Sequence, residues 1–268
     1  MPQFNRILLT GAAGSLGREL RSGLAHLTTH LRLADRADMG TAAAHEELVQ
    51  CDLSDPEVGM EITRDVDAIV HFAGVAREQS FNEIMTDTIP GTYNMFEGAR
   101  KNGVKRVIFA SSIHAVGYYR LEEVPDTRQP HRPDSFYGMA KCFGEDLASL
   151  YWNKFGVESV CLRICSALDA PKERRNLWSW LSFPDTVRLV ERSLTAPRTG
   201  HSIIFGTSAN SMQAVSNAHA THIGYDPQDT ADAFRDEIEA QPLADHESDL
   251  VRNVGGFFTN FPHPDDAE

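Results

Sequence analysis

Tyr137 and Lys141 stand four positions apart in the stretch "SFYGMAKCFGED", residues 135–146. On a helix that spacing puts the phenol and the ammonium on one face, one turn apart. A free phenol has a pKa of about 10, too high for a good base at neutral pH. A cation beside it favours the phenolate and lowers that value. The pair can therefore move a proton if a buried site holds it. Taken alone, the same spacing also arises on any solvated helix face, so its meaning depends on what the fold brings to it.

A second constellation lies near the amino end. The stretch "LLTGAAGSLG" spaces Gly11, Gly14 and Gly17 as G-x-x-G-x-x-G. Between a strand and a helix this pattern serves a dinucleotide. Gly11 permits a tight turn, Gly14 lets a pyrophosphate approach the backbone, and Gly17 lets helix and strand pack closely. The helix start, which includes Ser15 and Leu16, adds N–H groups and a positive dipole end. Asp35 closes the next apolar run. A carboxylate there accepts both ribose hydroxyls of adenosine and repels a 2′-phosphate, which favours NAD over NADP. Arg36 follows as either a surface arginine or a partner for a 2′-phosphate. Asp52, in "CDLSD", either bonds the adenine amino group or caps the helix near Pro56, with Leu53 beside it as an apolar wall.

These groups need a scaffold, and the chain spells one out. Short apolar, β-branched runs read as strands at 5–11, 29–35, 46–53, 66–74, 104–112, 157–165 and 201–206. Several are continuously apolar, as in strands covered on both faces of a parallel sheet. Helical patterns fall at 14–26, 55–64, 80–102, 135–155, 184–196 and 229–240. This alternation predicts an α/β fold with a doubly wound parallel sheet. Ligands of such sheets lie beyond the carboxyl ends of the strands. The stretch "FASSIH", 109–114, thus brings Ser111, Ser112 and His114 to the cleft, and the helix opening near Ser135 brings Tyr137 and Lys141 alongside. Beyond residue 165 the pattern is less regular and carries Trp178 and Trp180. Residues 1–165 read as a nucleotide-binding region with the Tyr/Lys pair. Residues 166–268 read as a small substrate-covering region plus the last strand and helices, not an independent domain.

The 268 residues include 38 acidic and 25 basic ones, a formal net charge of −13. That balance argues against a nucleic-acid binder, which needs a basic footprint. No apolar run reaches the length of a membrane-spanning helix, and "MPQFNRILLTG" lacks the pattern of a secretion signal. A cytoplasmic protein is expected. Cys51, Cys142, Cys161 and Cys165 form no C-x-x-C pair and have no His at metal spacing, so reduced thiols and no metal are expected. The acidic tail "HPDDAE" reads as a solvated end.

In order and spacing, "TGAAGSLG", "CDL", "HFAG", "SSIH" and "YGMAK" resemble the extended short-chain dehydrogenase/reductases, the NAD-dependent epimerase/dehydratase-like family. The likeness covers roughly the first 165 residues. It implies a Rossmann-type sheet and NAD, with Ala73 and Gly74 among the cofactor contacts. Tyr137 would take a proton from a substrate hydroxyl. Lys141 would tune Tyr137 and hold the nicotinamide ribose, and Ser112 would hydrogen-bond the same substrate oxygen. Within the family the chain is most similar to uronate dehydrogenases, through "RLAD", "VQCDL", "KFG" and further matches along most of its length. That implies oxidation of the C1 hydroxyl of an acidic hexopyranose, galacturonate or glucuronate, to the lactone. Ser166 and Arg175 match positions that bind the sugar acid, and an Arg fork suits an anion. Arg175 read alone is one more charge in "KERR". His114 matches a substrate-binding histidine, or is a strand-end histidine bonded to backbone. Helices 80–102 and 135–155 carry apolar stripes on more than one face; in the family they usually pair between subunits, which implies a homo-oligomer, and a buried core helix is the alternative explanation.

Three features depart from that resemblance. Ala76 stands where a serine contacts substrate, Ile113 stands for the asparagine inside "SSNH", and Ala214 and Val215 replace a tryptophan pair. A site that reads a hydroxyl loses specificity when its partner goes. Other C1 substrates therefore come into view: sulfoquinovose, a hexose 6-phosphate or a neutral aldose. A sugar-nucleotide epimerase or dehydratase and a non-catalytic dinucleotide sensor are the further alternatives.

Overall fold

The computed structural model describes residues 2–242 and 252–266. Seven strands form one sheet, parallel throughout: β1 (Phe4–Thr10), β2 (Thr28–Asp35), β3 (Glu46–Gln50), β4 (Ala68–His71), β5 (Arg106–Ser112), β6 (Glu158–Ile164) and β9 (His201–Gly206). Their order across the sheet is β3-β2-β1-β4-β5-β6-β9. A short parallel pair, β7 (Ser166–Ala167) with β8 (Trp180–Leu181), lies between β6 and β9 in the chain. The architecture is the Rossmann-type doubly wound sheet read from the alternating pattern. The strand order reverses between β1 and β4, and the crevice that this opens at the carboxyl ends is the ligand place of such sheets.

The apolar runs explain the layers. Every residue of β4 and of β5 is buried, as both faces carry helices. Alternate residues of β1 go to opposite sides. Ile7 and Leu9 pack with Leu20 of α1 (Ser15–Gly23) and with Leu189 and Val190 of α7 (Phe183–Thr195). Leu8 packs with Phe96 of α4 (Ile89–Asn102) and Leu147 of α5 (Phe136–Phe155), beside α2 (Pro56–Ile62).

Some boundaries move. The predicted helix 14–26 ends at Gly23 and passes into a 3₁₀ turn at 25–27. The predicted helix 80–102 is broken: α3 (Phe81–Glu83) leads into a π turn, Ile84–Thr88, before α4. Pro90 lacks an N–H and cannot continue the regular bonding pattern. The wider π turn accommodates it, and such turns recur at functional sites. The helix 229–240 is a 3₁₀ turn, Ala231–Phe234, followed by α8 (Arg235–Ala240). The strands 46–53 and 66–74 stop at Gln50 and His71, where their carboxyl ends leave the sheet for the cleft. A one-turn helix, α6 (Asn176–Ser179), precedes β8.

One segment has no counterpart in the sequence pattern. Residues 252–260 run as a strap beside 117–121, with Leu121 N donating to Arg252 O (2.8 Å), Val254 N to Tyr119 O (2.8 Å) and Gly255 N to Gly117 O (2.9 Å). The ring of His263 in the acidic tail packs edge-on to Phe136. Pro264–Asp266 form an exposed turn, and Ala267 and Glu268 lie outside the described residues. Among the described residues no helix is long and apolar enough to cross a membrane.

Candidate active site

A cleft of about 810 Å³ runs across the carboxyl ends of the sheet over the β1/β4 reversal. At its centre lies the glycine loop. Gly11 has φ +73°, and a Cβ there would sit 2.6 Å from the carbonyl carbon of Phe72. A Cβ on Gly17 would sit 2.0 Å from the carbonyl oxygen of Gly11, so only glycine lets α1 lie this close to β1. Gly14 is the N-cap of α1. No side chain caps the helix, and its first turn has no acidic residue. Ser15 and Leu16 line the cleft with the glycines. Backbone donors and a dipole end thus face the cleft, as a pyrophosphate requires.

Asp35 ends β2 and lines the cleft. Its carboxylate accepts from Ala13 N (3.0 Å) and Ala37 N (2.9 Å). Arg36 also lines the cleft and donates to Asp87. Asp52 does not take its expected place as the cap of α2. It does not line the cleft, its carboxylate accepts from Ser54 N at 2.9 Å, and Asp55 caps α2. Because β3 stops at Gln50, the chain is already turning there, and Cys51 and Leu53 on either side of Asp52 face inward. Ala73 and Gly74 line the cleft after β4, with Gly74 at φ +125°. This donor set and glycine cradle fit NAD.

The reactive groups converge beyond β5. Ser112 ends that strand, 4% exposed, and its Oγ accepts from His114 N at 3.2 Å. The start of α5 is fixed three ways. Ser135 Oγ accepts from Gly138 N (2.9 Å), and the Glu78 carboxylate accepts from Phe136 N (2.9 Å) and Tyr137 N (2.8 Å). A Cβ on Gly138 would sit 2.4 Å from His114 O, so helix and strand end press together. Lys141 Nζ lies 5.3 Å from the Tyr137 ring centroid and 5.3 Å from that of Phe109. Burial lowers its ammonium to about 8. Burial raises the Tyr137 phenol above its ordinary range, against the Ser112 hydroxyl, with Asp134 adding to the rise. Beneath them His71, which the sequence reading did not single out, is pushed down to about 3 by burial and by the Lys141 charge. Its Nδ1 lies 2.8 Å from Thr10 Oγ1.

At the far end, His114 Nδ1 lies 2.8 Å from Asp134 Oδ2, and the imidazole stacks on Phe258 with centroids 3.8 Å apart. Its partner is a carboxylate, not backbone. Asp134 is buried and also accepts from Ser135 Oγ at 2.8 Å. A Cβ on Gly117 or on Gly255 would lie 1.8 Å from Asp134 Oδ2. Arg175 is held by Ser166 Oγ (2.7 Å) and by the carbonyl of Val254 in the strap (2.8 Å), and it stacks over Trp178. Among the described residues no carboxylate lies within ion-pair distance of it, and its Nε is buried without a partner. Burial lowers its pKa. Ala76 lines the cleft. Ile113 lines it too, but its side chain packs in one apolar cluster with Ala214 and Val215. Two of the three departures are thus one packing change. The covering segment is Gly255 with Phe257 and Phe258, while residues 208–226 do not line the cleft.

Strand order, glycine loop and Tyr/Lys pair invite comparison with known proteins. Residues 7–181 match the NAD dependent epimerase/dehydratase family. The chain belongs to that family. Among curated members, the uronate dehydrogenase of Pseudomonas putida is 46% identical over 95% of this chain and 96% of its own length. Among solved members, the glucuronic acid dehydrogenase of Chromohalobacter salexigens superposes with a TM-score of 0.95 at 44% identity, covering 98% of this chain and 99% of that one. A mutant of the Agrobacterium tumefaciens uronate dehydrogenase, complexed with NAD, superposes with a TM-score of 0.93 at 42% identity, over 97% and 98%.

Proposed function

We propose that this member of the epimerase/dehydratase family oxidises the C1 hydroxyl of a hexuronate, galacturonate or glucuronate, to the lactone with NAD. Arg175 carries the reading. A partly buried guanidinium with a buried, unpartnered Nε and no counter-ion among the described residues is costly, and this one lines the cleft beside the reactive groups. A substrate carboxylate completes it, held as a fork by Arg175 with Ser166 alongside. Relatives named as uronate and glucuronic acid dehydrogenases point to the same substrate class.

Bound NAD supplies the hydride acceptor and, when oxidised, a positive ring charge that favours the Tyr137 phenolate. The glycine loop and α1 hold its pyrophosphate, and Asp35 its ribose. Ser112 and Tyr137 bond the C1 hydroxyl. Tyr137 takes the hydroxyl proton as the C1 hydrogen leaves with its electron pair, and the C1–O bond becomes the lactone carbonyl. Lys141 keeps positive charge under the phenolate. His114, held at Nδ1 by Asp134, presents its other nitrogen to a sugar hydroxyl. A homo-oligomer assembled through α4 and α5 is part of the proposal: Tyr93, Leu150 and Phe155 are exposed there.

Ala76 favours one neighbouring reading, a different acidic hexose, because it cannot bond a hydroxyl where the family has serine. Initial rates of NAD reduction on galacturonate, glucuronate, sulfoquinovose, glucose 6-phosphate and neutral aldoses test both. Turnover of uronates, with Arg175→Met raising KM for them and not for neutral aldoses, is the expected result. Equal losses on charged and neutral sugars would remove Arg175 as the anion anchor. Activity on another acidic sugar alone would move the substrate.

A further inference from the structure

The adenosine end of the cleft carries two opposed signals side by side. Asp35 accepts ribose hydroxyls and repels a 2′-phosphate, while an arginine next to it is what a 2′-phosphate would use. Arg36 has both neighbours and a third. Its Nη2 donates to Asp87 Oδ2 at 2.5 Å, from the end of β2 across to the π turn ahead of α4. Its Nη1 lies 3.8 Å from Asp52. Gln50 Nε2 holds its backbone carbonyl at 2.9 Å. Arg36, Asp35 and Asp87 all line the cleft, so Arg36 is the cation of that end and faces three carboxylates.

The position of Asp87 is set by the fold. Thr88, next in the turn, is buried, and its Oγ1 accepts from Val75 N at 3.1 Å. This ties the π turn to the loop that follows Gly74. The side chain is less exposed than that of Arg36, 23% against 57%, so the carboxylate is the fixed member and the arginine the one drawn to it.

We propose that Asp87 is a cofactor-selecting residue: by clasping Arg36 it withholds the guanidinium from a 2′-phosphate and keeps this site for NAD. The inference rests on the reading of the cleft as an NAD site. A 2′-phosphate would have to displace a carboxylate from Arg36 and would meet Asp35 and Asp87 as like charges. NAD has no such group and leaves the clasp closed. Because the pair is partly exposed, its effect is moderate.

Calorimetric titration of NAD and NADP into the full chain tests this, with weak NADP binding read by displacement of NAD. The proteins are the parent, Asp87→Asn, Arg36→Ala and the double variant. Asp87→Asn is expected to raise the NADP-to-NAD affinity ratio about five- to tenfold. In the Arg36→Ala background the same change is expected to move the ratio by less than about twofold. An unchanged ratio in Asp87→Asn would overturn the clasp. An equal rise with and without Arg36 would also overturn it, making Asp87 only one more negative charge. Should Asp87→Asn not fold by circular dichroism, Asp87→Ala takes its place in the same cycle. A parent protein that binds neither nucleotide would instead refute the NAD reading.

Discussion

Tyr137 is the group whose environment says most about when it can act. Burial holds its phenol high, so the proton leaves only when a further positive charge arrives. Removing the hydroxyl in Tyr137→Phe is expected to lower kcat by about 10²- to 10⁴-fold while NAD affinity, read by calorimetry, stays within about threefold. An equal loss of both would make Tyr137 a binding residue. Asp134 invites a second substitution. Its carboxylate fixes His114 through Nδ1, and such partners set tautomer and ring orientation. Asp134→Asn is expected to lower kcat/KM at least about tenfold and to move His114 out of the Nδ1–H tautomer in nitrogen NMR. A rate loss with the tautomer unchanged would leave Asp134 a packing residue. Tyr137, Lys141 and the three glycines were readable from type and spacing, because each lies in a local motif. Asp134 and Phe258 were not, since their roles exist only once a distant strap and a strand end meet. The one local hint was an aspartate directly before the Ser135 cap.

The strap is the element on which the substrate end depends. Its backbone carries Val254 O to Arg175 and lays Phe258 on His114, and it passes Asp134 at Gly255 with no room for a side chain. Gly255→Ala is expected to raise KM for the sugar about tenfold or more, since a displaced anchor loses a charged hydrogen bond, with NAD affinity little changed. A parallel loss of NAD affinity would mean that the strap supports the whole cleft. The strands were legible because burial on both faces demands unbroken apolar runs, and their centres match. Their carboxyl ends were not. Strand 46–53 was read three residues too long, and the cleft takes over where the ladder stops. The break in helix 80–102 could have been read from Pro90. Apart from helix 184–196 and strand 201–206, which match α7 and β9, the segment after 165 gave little period to follow, because its irregular parts answer to the cleft rather than to the sheet.

At the scale of the molecule, two properties follow. Buried His71 titrates at about 3, against about 6.5 in an unfolded chain. The unfolded chain therefore takes up this proton first as the pH falls. The stability that neutral His71 permits is complete above about 6.5 and is lost toward about 3, on the order of 1–2 kcal/mol of it by pH 5. His71→Gln is expected to lose less urea stability between pH 7 and pH 5 than the parent does, and an equal loss would assign acid sensitivity elsewhere. The second property is assembly. Leu150, half exposed on α5, is expected to sit in a subunit contact, so Leu150→Glu should shift sedimentation toward smaller species. A parent that already sediments as a monomer would end that proposal.

The strap also has a practical side. Gly255, Phe257 and Phe258 wall one end of the cleft and the Val254 carbonyl holds Arg175, so trimming the chain before residue 252 removes part of the substrate site. β1 begins at Phe4 at the amino edge of the sheet, on the side away from the cleft. An extension placed there is expected to leave the rates of NAD reduction unchanged, whereas loss of residues 252–258 is expected to raise KM for the sugar.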